Sequence, residues 1–174
     1  MEKNDKRSGK EISANKQKQQ DVSYDVVLTG FPLSAKLDSS DIVAKFFKIL
    51  DLPNSAKNSS QFESKDSKTV SITCKDKQSQ IVILEKAHHL RASDFITLQD
   101  ENQNDKIDCQ RRLSKFNTTA FKELMRYQSS KTIEEIRFEG LFYHYKQIGQ
   151  SKWKEVSHKD ILDSLKATWT TRSN

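Results

Sequence analysis

Between Val26 and Leu98 the apolar residues switch repeatedly between the two-residue period of a strand and the spacing of a helix. Val26-Val27-Leu28-Thr29-Gly30-Phe31-Pro32 is an apolar run stopped by Gly and Pro, as in a buried strand. Ser39 and Ser40 are candidate N-caps, and Asp41 suits the positive end of a helix dipole. Ile42, Val43, Phe46, Ile49 and Leu50 follow at helical spacing, and Pro53 ends that helix. Residues 54–61 are small and polar and predict a loop, with Phe62 in a short edge strand. From Thr69 to Cys74 the chain alternates, which sets Val70, Ile72 and Cys74 inward and Thr69, Ser71 and Thr73 outward. Asp76 is placed to cap a second helix carrying Ile81, Leu84, Ala87 and Leu90, and Phe95-Ile96-Thr97-Leu98 predicts a further strand.

The order strand, helix, strand, strand, helix, strand predicts an α+β fold. It implies a ferredoxin-like βαββαβ domain of the RNA-recognition-motif kind over residues 23–98. Residues 99–110 are polar and acidic and predict a linker. Residues 111–167 predict a small α+β C-terminal domain of helix, β-hairpin and helix. Asn117 is its candidate N-cap, with Phe116 and Phe121 as a hydrophobic staple. Phe121, Leu124 and Met125 would form the buried stripe. Ile136-Arg137-Phe138 and Phe142-Tyr143-His144-Tyr145 flank Glu139-Gly140, which predicts the hairpin. Trp153 and Val156 suit an edge strand, and Asp160, Ile161, Leu162 and Leu165 a closing helix. Residues 1–22 hold almost nothing apolar and predict a disordered basic polar tail, and residues 168–174 a flexible end.

Positive charge is concentrated in the last third. Residues 111–174 carry 13 Lys/Arg against 7 Asp/Glu, whereas residues 1–22 carry 6 against 4 and residues 23–110 carry 11 against 13. A basic segment with aromatics, beside a near-neutral one, points to a polyanion partner. No run approaches the ~20 apolar residues of a membrane span. With no apolar signal core and only 2 cysteines, Cys74 and Cys109, the expected location is intracellular, with the nucleus preferred over the cytoplasm. No zinc-ligand spacing accompanies His88-His89, and no nucleophile–base set is legible. The chain's 4 glycines form no phosphate-cradling loop. A non-catalytic protein without metal or cofactor is expected.

The chain resembles the first-open-reading-frame proteins of LINE-type retrotransposons and the related baculovirus few-polyhedra (FP) proteins, including insect FP-domain proteins, over roughly residues 24–165. The resemblance rests on Arg112-Leu113-Ser114-Lys115-Phe116-Asn117 with its helix, on Gly140 and Lys146, and on Asp160-Ile161-Leu162. Val27-Leu28-Thr29-Gly30-Phe31-Pro32 and Val70-Ser71-Ile72 add to it. It implies nucleic-acid binding through a recognition-motif-like domain and a basic C-terminal domain, in some members with chaperone activity. This chain departs from the pattern at Glu139, where the family usually has Asn, and at Tyr145, which stands at a basic position. It also shows no heptad run before residue 24.

Recognition motifs stack bases on rings of their central strands. The outward positions here, Val27, Thr69, Ser71 and Thr73, are not aromatic. RNA or single-stranded DNA is therefore expected on the C-terminal lobe. Arg111, Arg112, Lys115, Lys122 and Arg126 would hold phosphates near the first helix, and Arg137, Lys146, Lys152 and Lys154 would do so along the hairpin. Tyr143 and Tyr145 would stack on bases. The alternative is a domesticated interaction adaptor, with exposed aromatics serving a protein partner or homo-oligomer.

Overall fold

The computed structural model describes the backbone of residues 2–98 and 105–172, and the side chains of 8–98 and 105–165. In chain order the elements are α1 (Glu2–Gln20), β1 (Asp25–Phe31), α2 (Ser39–Ile49), β2 (Ala56–Glu63), β3 (Lys68–Cys74), α3 (Lys77–Lys86) and β4 (Leu90–Arg91). After a short 3-10 turn at Ala92–Asp94 come β5 (Lys106–Arg111), α4 (Lys115–Ser129), β6 (Ile133–Glu139), β7 (Phe142–Gln147), β8 (Trp153–Val156) and α5 (Lys159–Arg172). The fold is α+β, and the chain forms two compact units: Val22–Arg112, and Met1–Asp21 together with Leu113–Asn174.

The first unit is an antiparallel five-stranded sheet in the order β2-β3-β1-β5-β4. Val26 and Leu28 on β1, Val70, Ile72 and Cys74 on β3 and Ile107 on β5 share a core with Ile42, Phe46 and Ile83 of the two helices. Val27 pairs with Ser71 and Thr29 with Thr69 on the face away from this core, but Val27, Thr69 and Ser71, expected to face outward, are buried there. The Asp76 carboxylate accepts from the Ser79 amide and starts α3. Asp38, not Ser39 or Ser40, caps α2, accepting from the amides of Ser40 and Asp41.

Two expected elements are displaced. Residues 54–61 belong largely to β2, a strand of polar residues exposed along most of its length. Phe95-Ile96-Thr97-Leu98 is not a strand. Phe95 is fully buried, with its ring edge-on to Phe31 at 5.6 Å. The strand beside β1 is instead β5, which covers the end of the expected 99–110 linker and runs on to Arg111, and it pairs Leu28 with Cys109. Only Ile107 and Cys109 mark its inner face, too few for a visible alternation. Residues 99–104 of that stretch lie outside the described residues.

Burial pushes the Cys74 thiol up from its ordinary 9.0 to about 11, with the negative charges of Asp25 and Asp76 adding to the effect. Burial, then the neighbouring Cys74, pushes Cys109 to about 12. Folding therefore holds these protons longer than the unfolded chain does. The resulting stability is complete below the ordinary thiol value and is lost as pH rises through about 11 to 12. Denaturation midpoints measured from pH 9 upward should fall with pH, and a Cys74→Ala/Cys109→Ala double variant should show a shallower fall.

In the second unit, α4 packs on the three-stranded sheet β6-β7-β8. Its cap is Ser114, which accepts from the Asn117 amide, and its buried stripe is Asn117, Ala120, Leu124 and Tyr127. The expected Asn117 cap and Phe116–Phe121 staple are therefore corrected. Phe116 meets Phe142 edge-on, and Phe121 and Met125 remain exposed. The hairpin forms as expected, with Glu139 opposite Phe142 and Gly140 at φ +63 in the two-residue loop. Trp153 and Val156 form the edge strand, and Leu162 and Leu165 of α5 are buried.

The expected disordered tail is a helix, α1. Its Lys, Glu, Gln and Ala residues favour helix, and its inner face docks through polar groups, which a hydrophobicity argument misses. Asn15 and Gln19 are buried, and the Asn15 amide donates to the Ser157 carbonyl at 3.1 Å. The Glu11 carboxylate accepts from the Lys159 amide at 3.0 Å. The expected flexible end is helical in its backbone as far as Arg172, and residues 173–174 lie outside the described residues.

Candidate nucleic-acid interface

The second unit carries the chain's entire charge excess. Met1–Asp21 and Leu113–Asn174 together hold 17 Lys/Arg against 11 Asp/Glu, while Val22–Arg112 holds 13 of each. Part of that excess lies on the outer face of α4. Lys115, Lys122 and Arg126 are separated by 7 and 4 residues. At 3.6 residues per turn they fall on one meridian to within about 20°, over a length of about 16 Å. That meridian lies opposite the stripe of Asn117, Ala120, Leu124 and Tyr127, so all three cations face water. Arg126 has a loose, exposed ion pair with Glu123 at 3.6 Å. Among the described residues no carboxylate pairs with Lys115 or Lys122.

Between this row and the buried stripe stand Phe121 and Met125, 38% and 41% exposed, with Phe121 at least about 100° round the helix from the cations. Phe121 lies flat against Tyr143, with ring centres 5.2 Å apart and planes 23° from parallel, and leaves part of its surface to solvent. Hydrophobic patterning alone places Phe121 in the core. Reading Asn117 as a buried residue would have turned the helix the other way.

Asn117 is the hub that sets this face. Fully buried, it donates through Nδ2 to Gln19 Oε1 at 2.8 Å and to the Leu141 carbonyl at 2.9 Å. Gln19 Oε1 also accepts from the Ser114 amide at 2.9 Å. These bonds join the last turn of α1, which carries Lys18, to the first turn of α4, which carries Lys115, and to the hairpin loop.

The hairpin cations are differently placed. Lys146 lies across the strands from Glu135 and donates to it at 2.6 Å, with Glu134 at 3.6 Å. The Glu135 hydrogen bond, reinforced by both carboxylate charges, holds the Lys146 ammonium above its ordinary value. Arg137 pairs with Glu139 at 2.8 Å and lies 4.0 Å over the Trp153 ring. Lys154 donates to Gln147 at 3.0 Å, and Lys152 is exposed. On this sheet Arg137 and Lys146 are thus ion-paired, whereas among the described residues no carboxylate pairs with Lys152 or Lys154.

Tyr143 and Tyr145 do not form an exposed stacking set. They are only 9% and 3% exposed and pack in the core with Leu124 and Val156, and burial raises the Tyr145 phenol. The sheet needs those rings to fill the space under α4. Arg111 and Arg112 belong to the first unit. Arg111 ends β5 opposite Val26. Arg112 pairs with Asp25 at 2.9 Å, donates to the Ser71 hydroxyl at 3.3 Å and stands 5.8 Å over the Phe62 ring. Phe62, on the edge strand β2, is the ring on the outward sheet face that the central-strand argument omitted.

Neither protein-family models nor curated protein sequences match the chain. Among the described residues no helix is long and apolar enough to cross a membrane. Nor does any group of three His, Cys, Asp or Glu stand where it could hold a metal ion.

Proposed function

We propose that this protein binds single-stranded RNA or DNA, without catalysis, along the outward face of α4. The carrying observation is the aligned row Lys115, Lys122 and Arg126 on the unit that holds the whole charge excess. Such a row follows a phosphate backbone without reading bases. Phe121, on the flank of the same helix, offers a partly exposed ring on which a base can stack, with Tyr143 as its backing. The row and the ring together favour binding with little sequence preference, as in a nucleic-acid chaperone. The order β2-β3-β1-β5, with α2 and α3 packed on one face, supports a recognition-motif-like first unit. This agrees with the retrotransposon-type resemblance. On the first unit's other face Val27, Thr69 and Ser71 are themselves buried, and the Phe62 ring already meets Arg112. That favours the second unit as the binding surface.

The test is anisotropy of a labelled single-stranded oligonucleotide across a salt series. Loss of three phosphate contacts in Lys115→Glu/Lys122→Glu/Arg126→Glu should make the slope of log K against log salt shallower by about 2. Phe121→Ala should weaken binding by about tenfold with the slope kept. Reversal of the paired residues Arg137 and Lys146 should change the slope far less. Absence of binding by the native chain at low salt would overturn this reading. It would leave the adaptor reading, which the self-neutralised hairpin face favours.

A further inference from the structure

We infer that α1 is a fixed second arm of the nucleic-acid surface: a strand leaving the α4 row beyond Lys115 crosses the last turn of α1 between Lys16 and Lys18. This second arm rests on the α4 row as the primary phosphate track and extends it onto an element far away in sequence.

α1 lies across the N-terminal ends of both α4 and α5. Gln19 Oε1 accepts from the amide of Ser114, the N-cap of α4, and from the Asn117 side chain. Glu11 accepts from the amide of Lys159, the first residue of α5, and Ser8 donates to the Asp160 carboxylate at 3.4 Å. The span from Glu11 to Gln19 is about 12 Å along a helix axis, enough to bridge two packed helices about 8–10 Å apart. α4 and α5 do share one core, through Leu124, Leu162 and Leu165. Ser8, Glu11, Asn15 and Gln19 occupy one side of α1 within about 80°. Lys10, Lys16 and Lys18 lie off that side, and all three are exposed.

The joint at Gln19 sets the two cationic tracks end to end. Lys18 precedes Gln19 and Lys115 follows Ser114, so each lysine is one residue from the same hydrogen bond. Lys16 and Lys18 stand about 160° apart round α1 and within about 5 Å of Gln19 along its axis, one on each flank of the last turn. A strand that follows Arg126, Lys122 and Lys115 toward the start of α4 meets that turn next. The nearby acids are engaged. Glu11 is taken by the Lys159 amide, and the Asp21 carboxylate accepts from Gln17 Nε2 at 2.8 Å. Among the described residues no carboxylate pairs with Lys10, Lys16 or Lys18. The buried amides of Asn15 and Gln19 hold the helix in place. Lysines on a docked helix lose less freedom on binding than lysines on a mobile tail.

Anisotropy of a labelled deoxythymidine dodecamer, titrated with the full chain across a salt series, tests this. Lys16→Glu/Lys18→Glu should make the slope of log K against log salt shallower by about 1.4, at about 0.7 per phosphate contact, and weaken binding about tenfold at low salt. Lys10→Glu, about 9–12 Å further along α1, should leave the slope in place. Circular dichroism and the denaturation midpoint should match the native chain in both variants, since the three lysines lie off the docked side of α1. No binding by the native chain at low salt would overturn the α4 row itself. Native binding whose slope Lys16→Glu/Lys18→Glu does not move overturns the second arm alone. An equal loss per charge in Lys10→Glu does the same.

Discussion

Gly30→Ala is expected to destabilise the first unit by about 3–4 kcal/mol, read as a fall in the denaturant midpoint. Two effects add at this position. The backbone stands at φ +110, where a side chain is strained. An added Cβ would also lie 2.5 Å from the Lys106 carbonyl oxygen. That atom is main chain of β5, so the strand itself must move. The close approach coincides with the irregularity between Thr29 and Phe31 in the β1–β3 register. Gly140→Ala is the control. Its φ is +63, and a Cβ there meets nothing within 4 Å, so only the conformational cost of about 1 kcal/mol applies. Equal losses at the two sites would mean that strain alone acts and the approach of β5 does not matter.

What the sequence makes legible divides along physical lines. β1 and β3 show themselves because their inner residues are continuous or cleanly alternating apolar. Asp76 shows itself because a cap is a local interaction. β5 stays hidden behind polar residues, while Phe95-Ile96-Thr97-Leu98 imitates a strand and actually supplies one buried ring. α1 stays hidden because its docking groups, Asn15 and Gln19, are polar, and Gln19 meets Asn117 98 positions away. The same long-range bond explains the misplaced α4 stripe. Counting Asn117 as a surface cap turns Phe121 and Met125 inward, and finding it buried turns them out.

The candidate site divides in the same way. The segregation of charge between the units is a property of composition, so the sequence shows it directly. Whether a cation is available is a property of its neighbours. Lys115, Lys122 and Arg126 keep their availability because helical spacing aligns them away from the core. Lys146 and Arg137 lose theirs because cross-strand register and same-face spacing supply Glu135 and Glu139. Eleven residues of one sequence-based site thus separate into a solvated row of three on α4, two ion-paired cations on the hairpin, the two lysines Lys152 and Lys154 without a carboxylate, two core tyrosines and two arginines of the first unit.

Arg112 makes that separation measurable. Arg112→Ala should destabilise the first unit by about 2–3 kcal/mol while leaving the salt slope of nucleic-acid binding unchanged. The Asp25 side chain is only 6% exposed and that of Arg112 39%, at an Nη1–Oδ2 distance of 2.9 Å. Removing the arginine strands a buried carboxylate, which costs 3–5 kcal/mol when both partners are fully buried. The exposure of Arg112 lets water reach the pair and lowers that figure. Asp25→Asn in the same chain removes the stranded charge, so the double variant should recover much of the loss, and the double-mutant cycle should report coupling. A phosphate ligand would behave in the opposite way. It would leave the denaturation midpoint in place and make the salt slope shallower by about 0.7. Measuring both quantities on one variant therefore decides whether Arg112 holds the sheet or the ligand.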